Sequence, residues 1–124
     1  MSRATLYTIN LFLIAGVWLL NGVVGKILHL VPRHEQIVAR ILGPAYAGPL
    51  TVAIGIGEVL LAVWILSRRW ERLNVLTQVG LISTMNVLET LLAPDLLLWG
   101  RWNLPFALLF CGFIVWNHQL ARSN

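Results

Sequence analysis

Apolar stretches of membrane-spanning length dominate this chain and limit the folds that are open to it. A helix that crosses the hydrocarbon core of a bilayer needs about 20 residues, with a lower limit of about 17. Three stretches reach that length, and a fourth reaches it when its polar flanks are included. The chain is 58% hydrophobic and 11% charged, whereas soluble domains carry roughly 25% charged residues. The sequence therefore predicts an all-α integral membrane protein whose first partner is the lipid bilayer.

The four predicted spans form a four-helix bundle in a single transmembrane domain that covers residues 1–124. Their predicted bounds are residues 7–30, 48–66, 73–93 and 104–116. The first span has a longer apolar core than a signal peptide and no small-residue cleavage site, so we interpret it as a membrane helix. The third span carries the most polar side chains, so we expect it to have the least contact with lipid.

A short segment between the first two spans has an apolar side and a polar side at helical spacing. The apolar side holds His34, Ile37, Val38 and Ile41, and the polar side holds Arg33, Gln36 and Arg40. Gly43 and Pro44 follow the segment and are typical of a helix end. The segment is too short and too charged to cross the bilayer. The sequence therefore predicts an interfacial amphipathic helix over the outer mouth of the bundle.

A single carboxylic acid, Glu58, lies in the middle of the apolar stretch from Thr51 to Leu66. A charged residue such as Asp at the centre of a helix costs about 2.5–3.5 kcal/mol on insertion scales. Such residues usually face the interior of a bundle and usually have a function. Small residues share the face of Glu58 at helical spacing and favour close approach of a neighbouring helix. They are Gly48, Thr51, Gly55 and Ala62.

Depth along the helix axes predicts two tiers of polar side chains, at a rise of about 1.5 Å per residue. Glu58, Asn21 and Asn86 fall about 12–15 Å below the outer surface, whereas Lys26 and Glu89 fall about 6–8 Å below it. We therefore predict an ion pair between Lys26 and Glu89 near the mouth. We expect Glu58 to meet amides instead and to be often protonated, because apolar surroundings disfavour a carboxylate that lacks a cation, and we expect Glu89 to be ionised.

Glu58 and Glu89 are the candidate proton-handling residues, because proton relays in membranes use carboxylates of this kind. The candidate ligand-binding residues accompany them at similar depths: Asn21, Lys26, His29, His34 and Asn86. Imidazole and carboxylate ligands suit zinc, iron or manganese, but the chain has no H-x-x-E or H-E-x-x-H spacing, so no metal site is predicted. The alternative is that these side chains only join helices by hydrogen bonds.

The sequence lacks the motifs that indicate several kinds of chemistry. The one cysteine, Cys111, cannot form an internal disulfide or a C-x-x-C redox pair. The chain has no G-x-S-x-G nucleophile motif and no glycine-rich loop for a phosphate or a dinucleotide. The net charge of +4 comes largely from arginines that flank the spans, which is a pattern of membrane topology rather than of nucleic-acid binding.

The distribution of arginines predicts the orientation of the spans. Four spans place both termini and the loop after span two on one side. That side carries five arginines and the other side three, so the positive-inside rule predicts that both termini are cytoplasmic. The five are Arg3, Arg68, Arg69, Arg72 and Arg122, and the three are Arg33, Arg40 and Arg101.

Four short motifs resemble the DoxX-like family of small four-span membrane proteins, and the resemblance covers nearly the whole chain. The motifs are Asn21-Gly-Val-Val-Gly-Lys-Ile-Leu-His29, Pro32-Arg-His-Glu-Gln-Ile-Val-Ala-Arg40, Gly55-Ile-Gly-Glu-Val-Leu-Leu-Ala62 and Met85-Asn-Val-Leu-Glu-Thr90. The resemblance implies a multi-pass, four-helix protein of the bacterial inner membrane. DoxX relatives include subunits of a thiosulfate:quinone oxidoreductase, and many members have no assigned activity.

Three interpretations of the function remain open. In the first, the protein is redox-associated, and an outer-half polar pocket binds a quinone-like molecule while the carboxylates handle protons. In the second, the same pocket holds a small molecule or a proton in a non-enzymatic binding or transport protein. In the third, the chain is a structural subunit of a larger membrane complex or a homo-oligomer. These interpretations include both enzymes and non-enzymatic proteins, because unrelated activities share one fold.

Overall fold

The computed structural model describes residues 2–28, 32–96 and 103–122, and within these ranges the chain is helical and has no strand. Helix α1 (Arg3–Leu20) continues directly into a π-helix (Asn21–Ile27). Then follow α2 (Pro32–Leu42), α3 (Ala47–Ser67), α4 (Glu71–Leu92), a 3₁₀ turn (Pro94–Leu96) and α5 (Asn103–Arg122). The predicted all-α class is confirmed.

Three helical segments are long and apolar enough to cross a membrane: Arg3–Ile27, Ala47–Ser67 and Glu71–Leu92. They overlap the first three predicted spans. A shorter apolar helix, Leu104–Leu120, lies at the position of the fourth. Many large apolar side chains point outward, among them Phe12, Leu60, Leu76 and Leu109. Apolar surface of that extent is unusual in a monomer surrounded by water, and it suits helices that face lipid.

The helices pack in an order that leaves a gap between α3 and α4. Helix α1 packs against α3 and α5, and α5 packs against α4, whereas α3 and α4 contact each other only sparsely. Helix α2 packs against both α3 and α4. A core of apolar side chains fills the middle of the molecule, including Ile14, Trp18, Leu61, Ile82 and Ile114. The polar side chains are therefore divided between the two sides of this core.

The turn between α3 and α4 uses two residues in the left-handed region, Arg68 with φ 58° and Trp70 with φ 50°. Non-glycine residues adopt this conformation uncommonly. Hydrogen bonds hold the turn in place: the indole Nε1 of Trp64 donates to the carbonyl oxygen of Arg69 at 2.7 Å, and Arg68 donates to the Thr8 hydroxyl at 2.8 Å. The turn thereby joins the start of α4 to the start of α1.

The amphipathic helix forms where the sequence predicts it. Its apolar residues Ile37 and Val38 are buried, whereas Gln36 and Arg40 on the opposite side are exposed. The buried side faces the interior of the molecule, between α3 and α4. Helix α2 therefore covers the gap between α3 and α4.

Candidate functional site

An open cavity of about 670 Å³ lies beneath α2, at the end of the molecule where α1 and α4 finish. All five α-helices and the π-helix contribute to its wall. Most of the wall is apolar. The polar or charged lining residues are Asn21, Lys26, Arg33, His34, Glu58, Asn86 and Glu89. Six of the seven predicted site residues thus border one cavity, and the seventh, His29, lies outside the described residues.

A buried ion pair is the central polar feature of this cavity. The ammonium Nζ of Lys26 lies 2.5 Å from Oε1 of Glu58. Lys26 is 8% exposed and Glu58 is 5% exposed. Buried charges of this kind are stable only when they are paired or otherwise hydrogen-bonded. Each of the two side chains therefore depends on the other.

Two glycines bring the helices that carry this pair into backbone contact. A methyl group at Gly22 would lie 2.6 Å from the carbonyl oxygen of Gly55, and a methyl group at Gly55 would lie 2.8 Å from the carbonyl oxygen of Gly22. No real side chain fits at such a distance. The π-helix and α3 can approach so closely only because both positions are glycine, as small residues permit in membrane helices.

The lysine belongs to the π-helix, Asn21–Ile27. The wider turn is visible in the backbone hydrogen bond from the N–H of Leu28 to the carbonyl oxygen of Val23, at 2.9 Å across five residues. The side-chain amide of Asn21 donates to the carbonyl oxygen of Val17 at 2.9 Å, where the helix changes type. π-Helices are rare and are found frequently at functional sites. Here the wider turn changes the direction in which Lys26 leaves the helix.

The predicted pairing of Lys26 with Glu89 is wrong, because the ammonium lies on Glu58. That prediction rests on the depths of the two residues along their helix axes, and depth does not determine which helix packs against the one that carries Lys26. The π-helix packs chiefly against α3, which carries Glu58, and not against α4, which carries Glu89. The expectation that Glu58 meets only amides is also wrong, because Glu58 is paired with Lys26. Asn21 and Asn86 donate to backbone carbonyls of their own helices.

Glu89 lies half-buried in the wall contributed by α4. It is close enough to the ion pair to interact electrostatically with both Lys26 and Glu58. Two carboxylates and one ammonium therefore share the polar end of the cavity. Such a cluster can hold one more proton than a simple ion pair, because the two carboxylates repel each other when both are ionised.

The imidazole of His34 lies directly against Gly25 of the π-helix. A methyl group at Gly25 would lie 2.5 Å from Cε1 and 2.6 Å from Nδ1 of that ring. Burial of the ring, together with the charges of Lys26 and Arg33, lowers the pKa of His34 to about 4. The imidazole is therefore neutral at neutral pH. Its Nδ1 atom is buried and has no hydrogen-bond partner among the described residues.

A second contact, which sequence analysis missed, ties α2 to the 3₁₀ turn that follows α4. Arg40 binds Asp95 with both ends of its guanidinium, Nη1 to Oδ1 at 2.8 Å and Nη2 to Oδ2 at 3.1 Å. The hydrogen bonds from Arg40 lower the pKa of Asp95 below its usual value. The two residues are 55 positions apart, so no local pattern could have indicated the pair. Arg33, another residue that was not predicted for the site, lines the cavity.

No metal centre is apparent at this site within residues 2–28, 32–96 and 103–122. No three or more His, Cys, Asp or Glu side chains in these ranges lie together as metal ligands would. His29 lies outside these ranges. The polar groups that the structure does bring together are one ammonium, one guanidinium, two carboxylates, a neutral imidazole and amides. These groups can donate and accept hydrogen bonds and exchange protons.

Over the described residues, the fold and the site define a helical protein whose apolar helices are long enough to span a membrane, with a polar-ended cavity covered by a short amphipathic helix. The chain belongs to the DoxX-like family, whose family model matches residues 15–111. That range includes every residue that lines the cavity, and the predicted resemblance is confirmed. No curated protein and no solved structure matches the chain.

Proposed function

We propose that this protein is a four-helix bundle of the bacterial inner membrane that binds a small amphipathic molecule of the quinone type in its cavity. In this proposal α2 lies at the membrane interface, and Glu58 and Glu89 exchange protons with the bound molecule. The observation that supports it best is the cavity itself, in which an apolar wall ends in a buried Lys26–Glu58 pair.

The size and lining of the cavity suit such a ligand. Its volume of about 670 Å³ falls within the range of about 300–1,000 Å³ that is typical of small-molecule sites. Ile37, Val38, Phe106 and Phe110 are among the apolar lining residues, and they would surround a ring or an alkyl chain. A few placed polar groups among apolar walls are the usual composition of a specific site.

The charged groups at the polar end give the ligand a preferred orientation. The ammonium of Lys26 can donate a hydrogen bond to a carbonyl oxygen of the ligand head. Glu58 already accepts from Lys26, and Glu89 borders the same cavity, so a carboxyl group is available to give or accept the proton that accompanies a change in the redox state of a quinone. Electrons would come from a partner, as expected of a subunit in a larger redox complex.

Binding of a short-chain quinone to the purified protein tests this proposal. Trp18 lines the cavity, so a quinone bound there should quench its fluorescence, and Trp18→Phe should remove that part of the quenching. The double variant Lys26→Met, Glu58→Leu should weaken binding at least severalfold. It removes both charges of the pair, so neither is left buried without its partner.

The matched control for this experiment is Arg72→Met, which removes a cation at an exposed position outside the cavity. Equal binding by the wild type and the double variant would show that the ion pair does not recognise the ligand. Saturable binding with no reduction of the quinone by any electron donor would favour the non-enzymatic binding or transport protein instead.

A further inference from the structure

A second buried polar network lies on the other side of the apolar core, between α1, α4 and α5. The indole Nε1 of Trp18 donates to Oε1 of Gln78 at 2.9 Å, and Nε2 of Gln78 donates to Oδ1 of Asn74 at 2.6 Å. Nearby, Nδ2 of Asn10 donates to Oδ1 of Asn117 at 3.0 Å. Gln78 is 2% exposed and Asn117 is 1% exposed.

Three residues of this network, Asn74, Gln78 and Asn117, border a second, small cavity of about 20 Å³. A water molecule needs a cavity of about 10–15 Å³, and it needs polar partners. Two buried atoms at the cavity have no hydrogen-bond partner in the described part of the chain, Nδ2 of Asn74 and Nε2 of His118. The cavity is also bordered by the exposed residues Arg68 and Arg69. Water can therefore enter from the α3–α4 turn and satisfy these buried groups.

The polar side chains of α4 follow one stripe along almost the whole helix. Glu71, Asn74 and Gln78 border the small cavity, and Asn86 and Glu89 border the large one. Their spacing of three or four residues, continued through position 82, places them on one side of the helix. The stripe is interrupted by Ile82, which is buried in the apolar core beside Trp18.

Helix association alone accounts poorly for this arrangement. Amides that join membrane helices do so by hydrogen bonds from one helix to another, yet Asn74 keeps a buried N–H group that has no partner in the described part of the chain. The titratable side chains of Glu71, Tyr7 and His118 border the same small cavity. A donor without a partner, a water-sized space and titratable groups at its border are the components of a proton-entry path.

We propose that the small cavity with Asn74 and Gln78 is a water-filled proton-entry path from the α3–α4 turn. The apolar layer formed by Trp18 and Ile82 is the barrier that separates this path from the large cavity. Amides hold their protons, so protons move along the water that these amides bind. Apolar constrictions in membrane proteins close a path by excluding water, and the path is therefore closed in this conformation.

This inference rests on the proton exchange at Glu58 that is proposed above, and it does not depend on which molecule the large cavity binds. It concerns the route by which protons would reach the Lys26–Glu58 pair from the opposite face. The proposal involves no covalent step. In the experiment that follows, the proton moves down an applied potential, and the outflow of potassium ions balances its charge.

Proton flux into liposomes that contain the purified protein tests the proposal. Liposomes loaded with potassium and a trapped pH-sensitive dye are treated with valinomycin, so that potassium leaves and the interior becomes negative. Ile82→Ser should admit water to the barrier and raise the proton flux severalfold above that of the wild type. Adding Gln78→Leu to Ile82→Ser should return the flux to the wild-type rate.

Leu76→Ser is the matched control, because Leu76 lies on the same helix and points outward; its flux should equal that of the wild type. If Ile82→Ser cannot be reconstituted as a folded protein, Trp18→Phe replaces it, since the smaller ring thins the barrier and frees Gln78. An unchanged flux in the folded barrier variant, or an increase that Gln78→Leu does not reverse, would overturn the proposal.

Discussion

Lys26 and Glu58 form a buried ion pair across 2.5 Å because Gly22 and Gly55 allow the two helices that carry them to touch. The pair and the glycines lie within one turn of each other along both helices. A change in the glycines therefore acts on the pair, and a change in the pair acts on the cavity that it borders.

Breaking the ion pair should destabilise the protein more than removing it. Glu58→Gln leaves the ammonium of Lys26 buried without its counter-charge, and loss of one member of a buried pair typically costs about 3–5 kcal/mol. The double variant Lys26→Met, Glu58→Leu should recover most of that loss, because apolar replacements of similar volume are often neutral. Thermal unfolding in detergent measures both effects. Simply additive effects of the two single substitutions would show that the residues do not interact.

Alanine at the helix crossing should separate α3 from the π-helix. Gly55→Ala places a methyl group 2.8 Å from a backbone oxygen of Gly22, and overpacking of this kind typically costs about 1–3 kcal/mol. Gly57→Ala is the control, because a methyl group there meets no atom within 4 Å. We expect a lower unfolding temperature only for the first. Equal unfolding temperatures for the two variants would contradict the close crossing.

His34 should make the stability of the protein depend on pH. Its pKa is about 4 in the folded chain, against 6.5 for an ordinary histidine, so the unfolded chain binds the proton more readily between these values. The free energy of unfolding should therefore fall as the pH is lowered from 6.5 towards about 4. The His34→Gln variant should lack this part of the pH dependence of the free energy of unfolding. Unfolding temperatures measured at several pH values test it, and identical profiles for the two proteins would be the contrary result.

The Arg40–Asp95 pair should hold α2 in place more than it stabilises the whole protein. Exposed ion pairs contribute little to the free energy of unfolding, so Arg40→Gln should leave the unfolding temperature nearly unchanged. Hydrogen exchange of the α2 amides should become faster. The charge-reversed pair Arg40→Asp, Asp95→Arg should restore slow exchange, whereas Arg72→Gln, at an exposed site away from α2, should have no effect. Unaltered exchange in Arg40→Gln would remove the proposed role of this pair.

The predicted orientation can be tested with single cysteines in a Cys111→Ser background. Gln36→Cys, on the exposed side of α2, should react with an impermeant thiol reagent in intact cells. Arg72→Cys should react only after the membrane is permeabilised, because the arginine bias places that turn in the cytoplasm. The reverse pattern of labelling would mean that the termini face outward.

The helices and the set of polar residues could be predicted from the sequence, because both depend on local information. Length and hydropathy indicate the apolar helices, and periodicity indicates the buried side of α2. The cost of an ionisable group in an apolar span singled out Glu58. The four short motifs were also sufficient to identify the DoxX-like family. The single-domain assignment and the roles of the site residues stay predictions.

Only the tertiary structure decided which of these residues meet. Lys26 has two carboxylates at reachable depths, and the choice of Glu58 follows from the backbone contact between Gly22 and Gly55, which holds the π-helix against α3. The bond between Trp18 and Gln78 and the pair of Arg40 with Asp95 likewise join distant parts of the chain. Periodicity describes the faces of a single helix, whereas a contact depends on which helix lies opposite, and that is determined by packing over the whole molecule.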